Sequence, residues 1–355
     1  MAIVFLEHRL CMRTQRLIIH PNDPEETEAH LRTAAKILQS GGLVAFPTET
    51  VYGLGGHALD PAAVVKIFEA KQRPSWDPLI VHVSHESMLH GVAREIPERV
   101  RRAILRFWPG PLTLLVERNP RLPSTVTAGR SKVAVRMPAH PIATGLIVHA
   151  GLPVAAPSAN LFGRPSPTTA DHVLADLDGR IDAVLDGGAT DVGVESTVAD
   201  LLEDPPVLYR AGAVSREQLR ELFPEIRYYQ PPAGQTSAPE ALPSPGTAIR
   251  HYAPRARLAL VEPAVVVERA RGFAAAGQKT GVMLPRELRP GRRELDGLEV
   301  FEWGSLGDSS ALAHGLFAGL RWLDEKKVEV IVCPVPPGDA GLFPAIRDRL
   351  NKAAR

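Results

Sequence analysis

Short apolar runs broken by Pro, Gly, Ser and Thr set the rhythm of the first two-thirds of the chain. The segments "LVAFPT" (43–48), "PLIVHV" (78–83), "LTLLVE" (112–117), "KVAVRM" (132–137), "LPVAAP" (152–157), "DAVLD" (182–186) and "STVADLL" (196–202) are short for helices and read as buried strands. Between the first two, Asp60 and Pro61 supply an N-cap and a first-turn proline. They open a helix with Val64, Val65, Ile67 and Phe68 on its apolar face, ending near Lys71. Ser215 with Gln218 is a capping-box pair that opens the last helix of this part. Strand spacing is irregular and several neighbours lack a long crossover. A twisted mixed sheet with helices is therefore expected, not a purely parallel one.

The pattern breaks at residues 224–254, which hold seven prolines in 31 positions. Such a run forms neither helix nor central strand and reads as an extended, semi-stiff connector. Beyond it come "RLALVE" (257–262), a helix over about 264–276, "TGVML" (280–284), "LEVFEW" (298–303), a helix over about 309–325, "VEVIVCP" (328–334) and a final helix near 341–353. This alternation predicts a small doubly wound, Rossmann-like α/β domain. It lacks the Gly-x-Gly-x-x-Gly turn, so no dinucleotide role follows. The expected organisation is a mixed-sheet domain over 12–223, a linker over 224–257 and an α/β domain over 258–355.

Composition narrows the function. Hydrophobic residues at 45% and charged residues at 23% describe a globular chain with a real core, and the 355 residues suit two domains. The net charge of +1 creates no global field for nucleic acid or membrane, so any anion site must be local. Cys11 and Cys333 are too far apart in sequence for a Cys-x-x-Cys motif, which argues against a disulfide framework or a thiolate metal cluster and suits a reducing cytoplasm. The uncharged stretch near 145–163 contains two prolines, a serine and an asparagine and is no membrane span. No cleavable signal pattern opens the chain. Met12 is a second candidate start, which would leave "MAIVFLEHRLC" as an extension.

Polar residues gather where strands end. "FPTETVYGLG" (46–55) supplies Thr48, Glu49, Thr50 and Tyr52, and Gly53, Gly55 and Gly56 form either a turn or a backbone surface open to a ligand. "KQRP" places Lys71 and Arg73 at a helix end, where cations complement the dipole. One residue apart in extended chain, they would instead point the same way, toward the strand ends. His82 closes the next strand. Lys132 and Arg136 share a strand face, and a buried arginine there needs a carboxylate or phosphate partner. "APSANLFGRPSPTT" (156–169) brings Ser158, Asn160, Ser166 and Thr168, with Thr168 or Thr169 also able to cap a helix from Ala170. "ESTV" (195–198) and "LYRAG" (208–212) repeat the pattern. Each stretch alone has a plain structural explanation. Together, with no Walker loop and no nucleophile elbow, they suit a concave site that grips a triphosphate and an amino acid by side chains.

With these residues in view, the sequence closely resembles the YrdC-type threonylcarbamoyl-AMP synthases in their long two-domain form. The resemblance runs from "GGLVAFPTETVYGLG" through "KQRPSWDPLIVH", "WPGPLT", "VAVRMP", "PSAN", "GRPSPTTA" and "ESTV" to "SPGTAIRHYAP" and "AIRDRLNKAA". It implies a YrdC-like domain with a basic cleft. It also implies a nucleotidyltransferase that condenses L-threonine, bicarbonate and ATP into threonylcarbamoyladenylate and releases pyrophosphate. The product would pass to a separate transferase complex for threonylcarbamoyladenosine modification of tRNA; direct tRNA binding is left open. By resemblance Thr50, His82, Arg136, Ser158 and Ser196 hold threonine. Lys71, Arg73, Lys132, Asn160, Thr168 and Arg210 surround ATP, with Lys71 and Arg73 as the catalytic cations. Tyr252 reaches back over the nucleotide as part of a lid, and the linker and second domain gate the cleft. The family commonly has asparagine where this chain has Asp77, and a carboxylate there would repel phosphate. Phe162 replaces a usual small residue.

The chemistry asks mainly for positioning and for cations where charge accumulates. Mg²⁺ is expected to arrive with ATP, since no carboxylate cluster marks a protein cage, and no residue stands out as a general base. Two other readings remain open: an RNA-binding module without ATP turnover, and a carbamoyl or adenylyl transferase using another amino acid. Near-neutral charge and 5% aromatic residues weigh against the first. The basic segment "AREIPERVRRAILRF" (93–107) reads as a solvated helix face.

Overall fold

The computed structural model describes residues 13–20, 22–230, 242, 244 and 251–355. Cys11, the candidate start Met12 and most of the proline-rich connector (231–241, 243 and 245–250) lie outside the described residues. The chain first runs through β1 (Gln15–Ile18), α1 (Pro24–Gln39), β2 (Val44–Phe46), β3 (Gly53–His57), α2 (Pro61–Lys71), β4 (Ile80–His82), α3 (Leu89–Val92), α4 (Glu98–Phe107), β5 (Leu112–Glu117) and β6 (Lys132–Arg136). It continues through α5 (Pro141–Ala150), β7 (Val154–Ala155), α6 (Ala170–Leu177), β8 (Ala183–Asp186), β9 (Thr197–Asp200), β10 (Val207–Arg210), α7 (Arg216–Arg220) and β11 (Arg227–Tyr228). The eleven strands form one sheet in the order β1-β8-β2-β3-β7-β4-β6-β5-β9-β10-β11. Parallel pairs such as β4 with β6 and β5 with β9 sit beside antiparallel ones such as β4 with β7 and β5 with β6, so the sheet is mixed as expected.

Local signals set several boundaries. Asp60 accepts a hydrogen bond from the Ala62 amide and Pro61 opens α2, which ends at Gln72 in the left-handed conformation (φ 53°). Ser215 and Gln218 complete their reciprocal capping box on α7, and Thr169, not Thr168, caps α6. The apolar face expected for α2 is too wide: Val64 and Ile67 are buried, but Val65 is 44% exposed. The glycines of 53–57 form a strand, β3, where a turn or open backbone surface was expected. A Cβ at Gly55 would lie 2.8 Å from both Phe46 and Val154 and 3.2 Å from the Val44 carbonyl oxygen. Close packing on β2 and β7 makes this strand, not β propensity.

On one face of the sheet, α1 and α5 bury Leu31, Leu38, Leu146 and Ile147 against Val44, Phe46, Val154 and Leu185. That helical layer stops short of β4, β6, β5 and β9. There Ile80, Ala134, Leu115 and Val198 make a small apolar patch that no helix among the described residues joins. This floor is where a cleft forms.

The last part of the chain contains β12 (Arg257–Val261), α8 (Val266–Ala275), β13 (Thr280–Leu284), β14 (Glu299–Glu302), α9 (Ser309–Glu325), β15 (Val330–Pro334) and α10 (Phe343–Ala353). Its strands are all parallel, in the order β12-β15-β13-β14. Alternating strand residues face opposite layers. Val282, Leu284, Val330 and Val332 pack on α8, whereas Met283, Ile331 and Cys333 pack on α9 and α10. This is the small doubly wound unit that the alternation predicted. Among the described residues no helix is long and apolar enough to cross a membrane.

The α9–α10 layer is also the docking face. Val51 and Val194 of the first part join its apolar cluster. Gly193 adopts φ 79°, and a Cβ there would come within 2.5 Å of the Ala313 carbonyl oxygen and the His314 Cα, so the approach of α9 requires glycine. Arg321 of α9 donates to the Pro165 carbonyl (Nε 3.1 Å, Nη2 2.5 Å) and pairs with Asp176 at 2.7 Å. Asp176 also pairs with Arg164. Replacing Arg321 with Ala leaves Asp176 with Arg164 alone. The expected loss is about 3 kcal/mol in urea unfolding, the low end for breaking a buried pair. A loss below about 0.5 kcal/mol, the scale of an ordinary surface substitution, would remove Arg321 from the supports of the interface.

Candidate active site

The cleft is built on the bare end of the concave face. Parallel pairing of β4 and β6 sets His82 directly opposite Arg136, with Ile80 opposite Ala134 below them. The loop after β2 adds Thr48 and Thr50: their hydroxyls are 2.8 Å apart, and Thr50 Oγ1 accepts from Arg136 Nη1 at 2.9 Å. Ser158, just past β7, bridges Gly53 across the cleft wall. On the other side Ser196 precedes β9. Its hydroxyl meets Thr113 at 2.7 Å and accepts from Arg210 Nη2 at 3.0 Å, while Arg210 Nε donates to its carbonyl at 2.9 Å.

His251 and Tyr252 cover the cleft. Tyr252 is 1% exposed with φ 65°, its ring centre 4.1 Å from that of His251 in an edge-on contact and 5.5 Å from that of Phe317 of α9 in a tilted one. The Ala253 amide donates to the Gly163 carbonyl at 2.7 Å. Thus covered, the cleft leaves about 50 Å³ for the centres of water-sized molecules, enough for a few waters.

Charge in the cleft is more balanced than the sequence suggested. Arg73 Nη2 lies 2.9 Å from Asp77, and Arg136 Nη2 lies 2.7 Å from Glu49. Burial pushes the Asp77 carboxyl up against the opposing pull of Arg73. Burial also acts to raise Glu49, but Arg136 outweighs it and holds that carboxyl low. Burial, reinforced by the Arg136 charge, brings the His82 pKa down to about 3, so its imidazole is neutral at pH 7. His82 Nδ1 is buried with no hydrogen-bond partner among the described residues. His251 Nδ1 is in the same state, and burial followed by the Arg73 and Lys71 charges holds that ring well below its usual pKa.

The structure brings Thr50, His82, Arg136, Ser158 and Ser196 into this cleft, together with Arg73, Arg210 and Tyr252. Three other expected residues stand just behind its wall. Lys71 does not point alongside Arg73. The left-handed Gln72 separates the two, and Lys71 Nζ donates to the Ser158 and Asn160 carbonyls at 2.5 Å each. Burial, with Arg73 beside it, drives the Lys71 pKa well down. Asn160 Nδ2 bonds the Leu161 and Arg164 carbonyls, leaving its buried Oδ1 without a hydrogen-bond partner among the described residues. Thr168 is buried, its hydroxyl 3.3 Å from His172 Nδ1.

Lys132 is a correction. It begins β6, four residues from Arg136, and its ammonium sits between Asp200 and Glu203 at 2.7 Å each. Four residues along a strand are about 13 Å, so a shared face did not make a shared site. Asp77 turns toward Arg73, and Phe162 lies under the Arg73 guanidinium at 5.9 Å.

Three residues were not singled out from sequence: Glu195, His251 and Arg349. All three sit inside motifs quoted above, Glu195 and His251 beside Ser196 and Tyr252, and Arg349 within "AIRDRLNKAA". Arg349 meets Glu195, 154 positions away, at 2.8 Å, and no local pattern marks that contact.

Comparison with known proteins agrees with this architecture. Residues 36–212 match a family model described as "Telomere recombination", and 214–355 match one described as "Threonylcarbamoyl-AMP synthase, C-terminal domain". The threonylcarbamoyl-AMP synthase of Pyrococcus abyssi is 45% identical over 334 residues, 92% of this chain and 94% of that protein. That of Bacillus subtilis is 43% identical over 347 residues, 97% of this chain and 98% of that one. The crystal structure of P. abyssi Sua5 complexed with L-threonine superposes with a TM-score of 0.86 at 41% identity, covering 96% of this chain and 97% of that one. With both family models and near full-length relatives matched, this chain is an enzyme of the threonylcarbamoyl-AMP synthase family in its two-domain form.

Proposed function

We propose that the cleft condenses L-threonine, bicarbonate and ATP into L-threonylcarbamoyladenylate with release of pyrophosphate, for later transfer to tRNA by a separate enzyme. The observation that carries this reading is a neutral His82, its Nδ1 without a hydrogen-bond partner among the described residues, opposite Arg136 in a pocket ringed by Thr50, Ser158 and Ser196. A guanidinium suits an amino-acid carboxylate, and a neutral imidazole suits a hydroxyl or amine. The likeness to a threonine-bound Sua5 supports the same seat.

In this reading Arg136 takes the threonine carboxylate, and His82 with the hydroxyls of Thr50, Ser158 and Ser196 orients the rest. Bicarbonate takes up a proton and loses water to give carbon dioxide; the neutral amine attacks its carbon, forming the N–C bond of a carbamate, and the amine proton passes to solvent. A carbamate oxygen then attacks the α-phosphorus, and the bond to pyrophosphate breaks. Arg73 and Arg210 stand where the nucleotide's charge would lie. Lys71 fixes the Ser158–Asn160 backbone through its two carbonyl bonds, and Asn160 and Thr168 back that segment. ATP brings magnesium as part of the substrate. The nearby carboxylates Glu49, Asp77 and Glu195 face arginines, and among the described residues no group of three His, Cys, Asp or Glu converges on a metal position. Water and phosphate would therefore supply most of the ligands. The space under His251 and Tyr252 is narrow, and in this reading the two residues move aside to admit the substrates.

Arg73→Ala is expected to lower threonine-dependent pyrophosphate release about a hundredfold, the scale of one lost preorganised donor. The Arg73→Ala, Asp77→Asn double variant removes the stranded carboxylate as well, separating loss of catalysis from loss of fold. An unchanged rate in the double variant would refute the role of Arg73. His82→Ala is expected to raise KM for threonine about tenfold, one hydrogen bond's worth, with KM for ATP nearly constant. Equal changes in both would argue against His82 as a threonine contact.

A further inference from the structure

Arg349 lies on α10, in the second domain, yet its guanidinium ends against two residues that line the cleft. It is 1% exposed and is among the largest fully buried side chains. Nε meets Glu195 Oε2 at 2.8 Å, and Nη1 meets Asp348 Oδ2 at 2.7 Å. The guanidinium carbon stands 5.3 Å from the centre of the Tyr252 ring. Nη2 is buried with no hydrogen-bond partner among the described residues.

Both residues that Arg349 touches across the interface are walls of the cleft. Glu195 is fixed from its other oxygen by the Ser166 hydroxyl. It directly precedes Ser196, which holds Arg210 through two hydrogen bonds. Tyr252 is half of the cover. One planar, permanently charged group therefore spans the Glu195 wall and the Tyr252 cover. Arg321 offers a contrast within the same interface. It is equally buried and paired with Asp176, but the residues it bonds, Pro165, His172 and Asp176, do not line the cleft. Holding the domains together thus does not by itself require a side chain at the active site.

We propose that Arg349 is a positioning residue of the reaction: it holds the Glu195 carboxylate and the Tyr252 ring in one relation, so that the cover closes in register with the Ser196–Arg210 wall. The second domain is then a working part of the site. This rests on the functional reading above.

The test uses the full chain with Arg349→Met, Arg349→Lys, Glu195→Gln, the Arg349→Met, Glu195→Gln pair, and Arg321→Met as the interface control. Arg349→Met is expected to raise KM for ATP about tenfold and lower kcat by a similar factor, the scale for a coupled buried contact, while KM for threonine moves much less. Arg349→Lys, which keeps the charge but not the fork, should recover part of the loss. The pair should be no worse than the poorer single variant. Arg321→Met should lower thermal stability without moving KM for ATP.

Hydrogen exchange at the Ala253 amide, bonded to Gly163, gives a readout without turnover. It should quicken in Arg349→Met and Arg349→Lys but not in Arg321→Met. Unchanged exchange, or ATP kinetics in Arg321→Met that match those of Arg349→Met, would overturn the inference. Absence of threonine-dependent pyrophosphate release in the wild-type chain would instead overturn the functional reading, with the exchange result still deciding whether Arg349 holds the cover.

Discussion

A guanidinium taken out of water must find a negative partner or destabilise the fold. Around this cleft that rule is met three times: Arg73 with Asp77, Arg136 with Glu49 and Arg349 with Glu195. Each pair ties together parts that would otherwise be independent. The first holds the turn after α2 against the start of β4, the second holds the β2–β3 loop over the end of β6, and the third holds the C-terminal helix against the approach to β9. The cleft's shape and its charge therefore come from the same contacts.

This arrangement has a consequence for ligand binding. A site lined by bare cations would repel itself when empty and would accept many anions. Here Arg73 and Arg136 are already oriented by carboxylates and Arg210 by Ser196, so a phosphate or an amino-acid carboxylate adds to an existing geometry. The neutral imidazoles of His82 and His251 fit the same scheme. Beside so many fixed charges, burial keeps both rings uncharged and their Nδ1 atoms lack hydrogen-bond partners among the described residues. They are the polar groups with most to gain from a ligand.

The second domain enters through these constraints too. Its α9–α10 layer buries an apolar face that includes Val51, Val194 and Tyr252, so the interface is continuous with the wall and cover of the cleft. Arg321 and Arg349 then fix its orientation at two separated points.

Most strands and several helix starts were legible in sequence because their causes are local; β1, α1 and α5 were not anticipated. A mostly apolar run such as "LTLLVE" makes β5, and Asp60, Thr169 and Ser215 cap the helices that follow them. Most of the cleft's residues were legible for a related reason, since polar groups at strand ends have few places to go. Three outcomes were not local. Gly53–His57 became a strand because Phe46 and Val154 leave no room for side chains there. Lys71 and Arg73 parted because Gln72 turned left-handed between them. Lys132 left the site because Asp200 and Glu203, about 70 positions away, reached it first. The sequence by itself determined the elements, the strand-end chemistry and the two-domain plan, which depend on patterns spanning a few residues. Only the tertiary structure decided which charge meets which, because the energy of a buried charge depends on neighbours that the chain brings together from far apart.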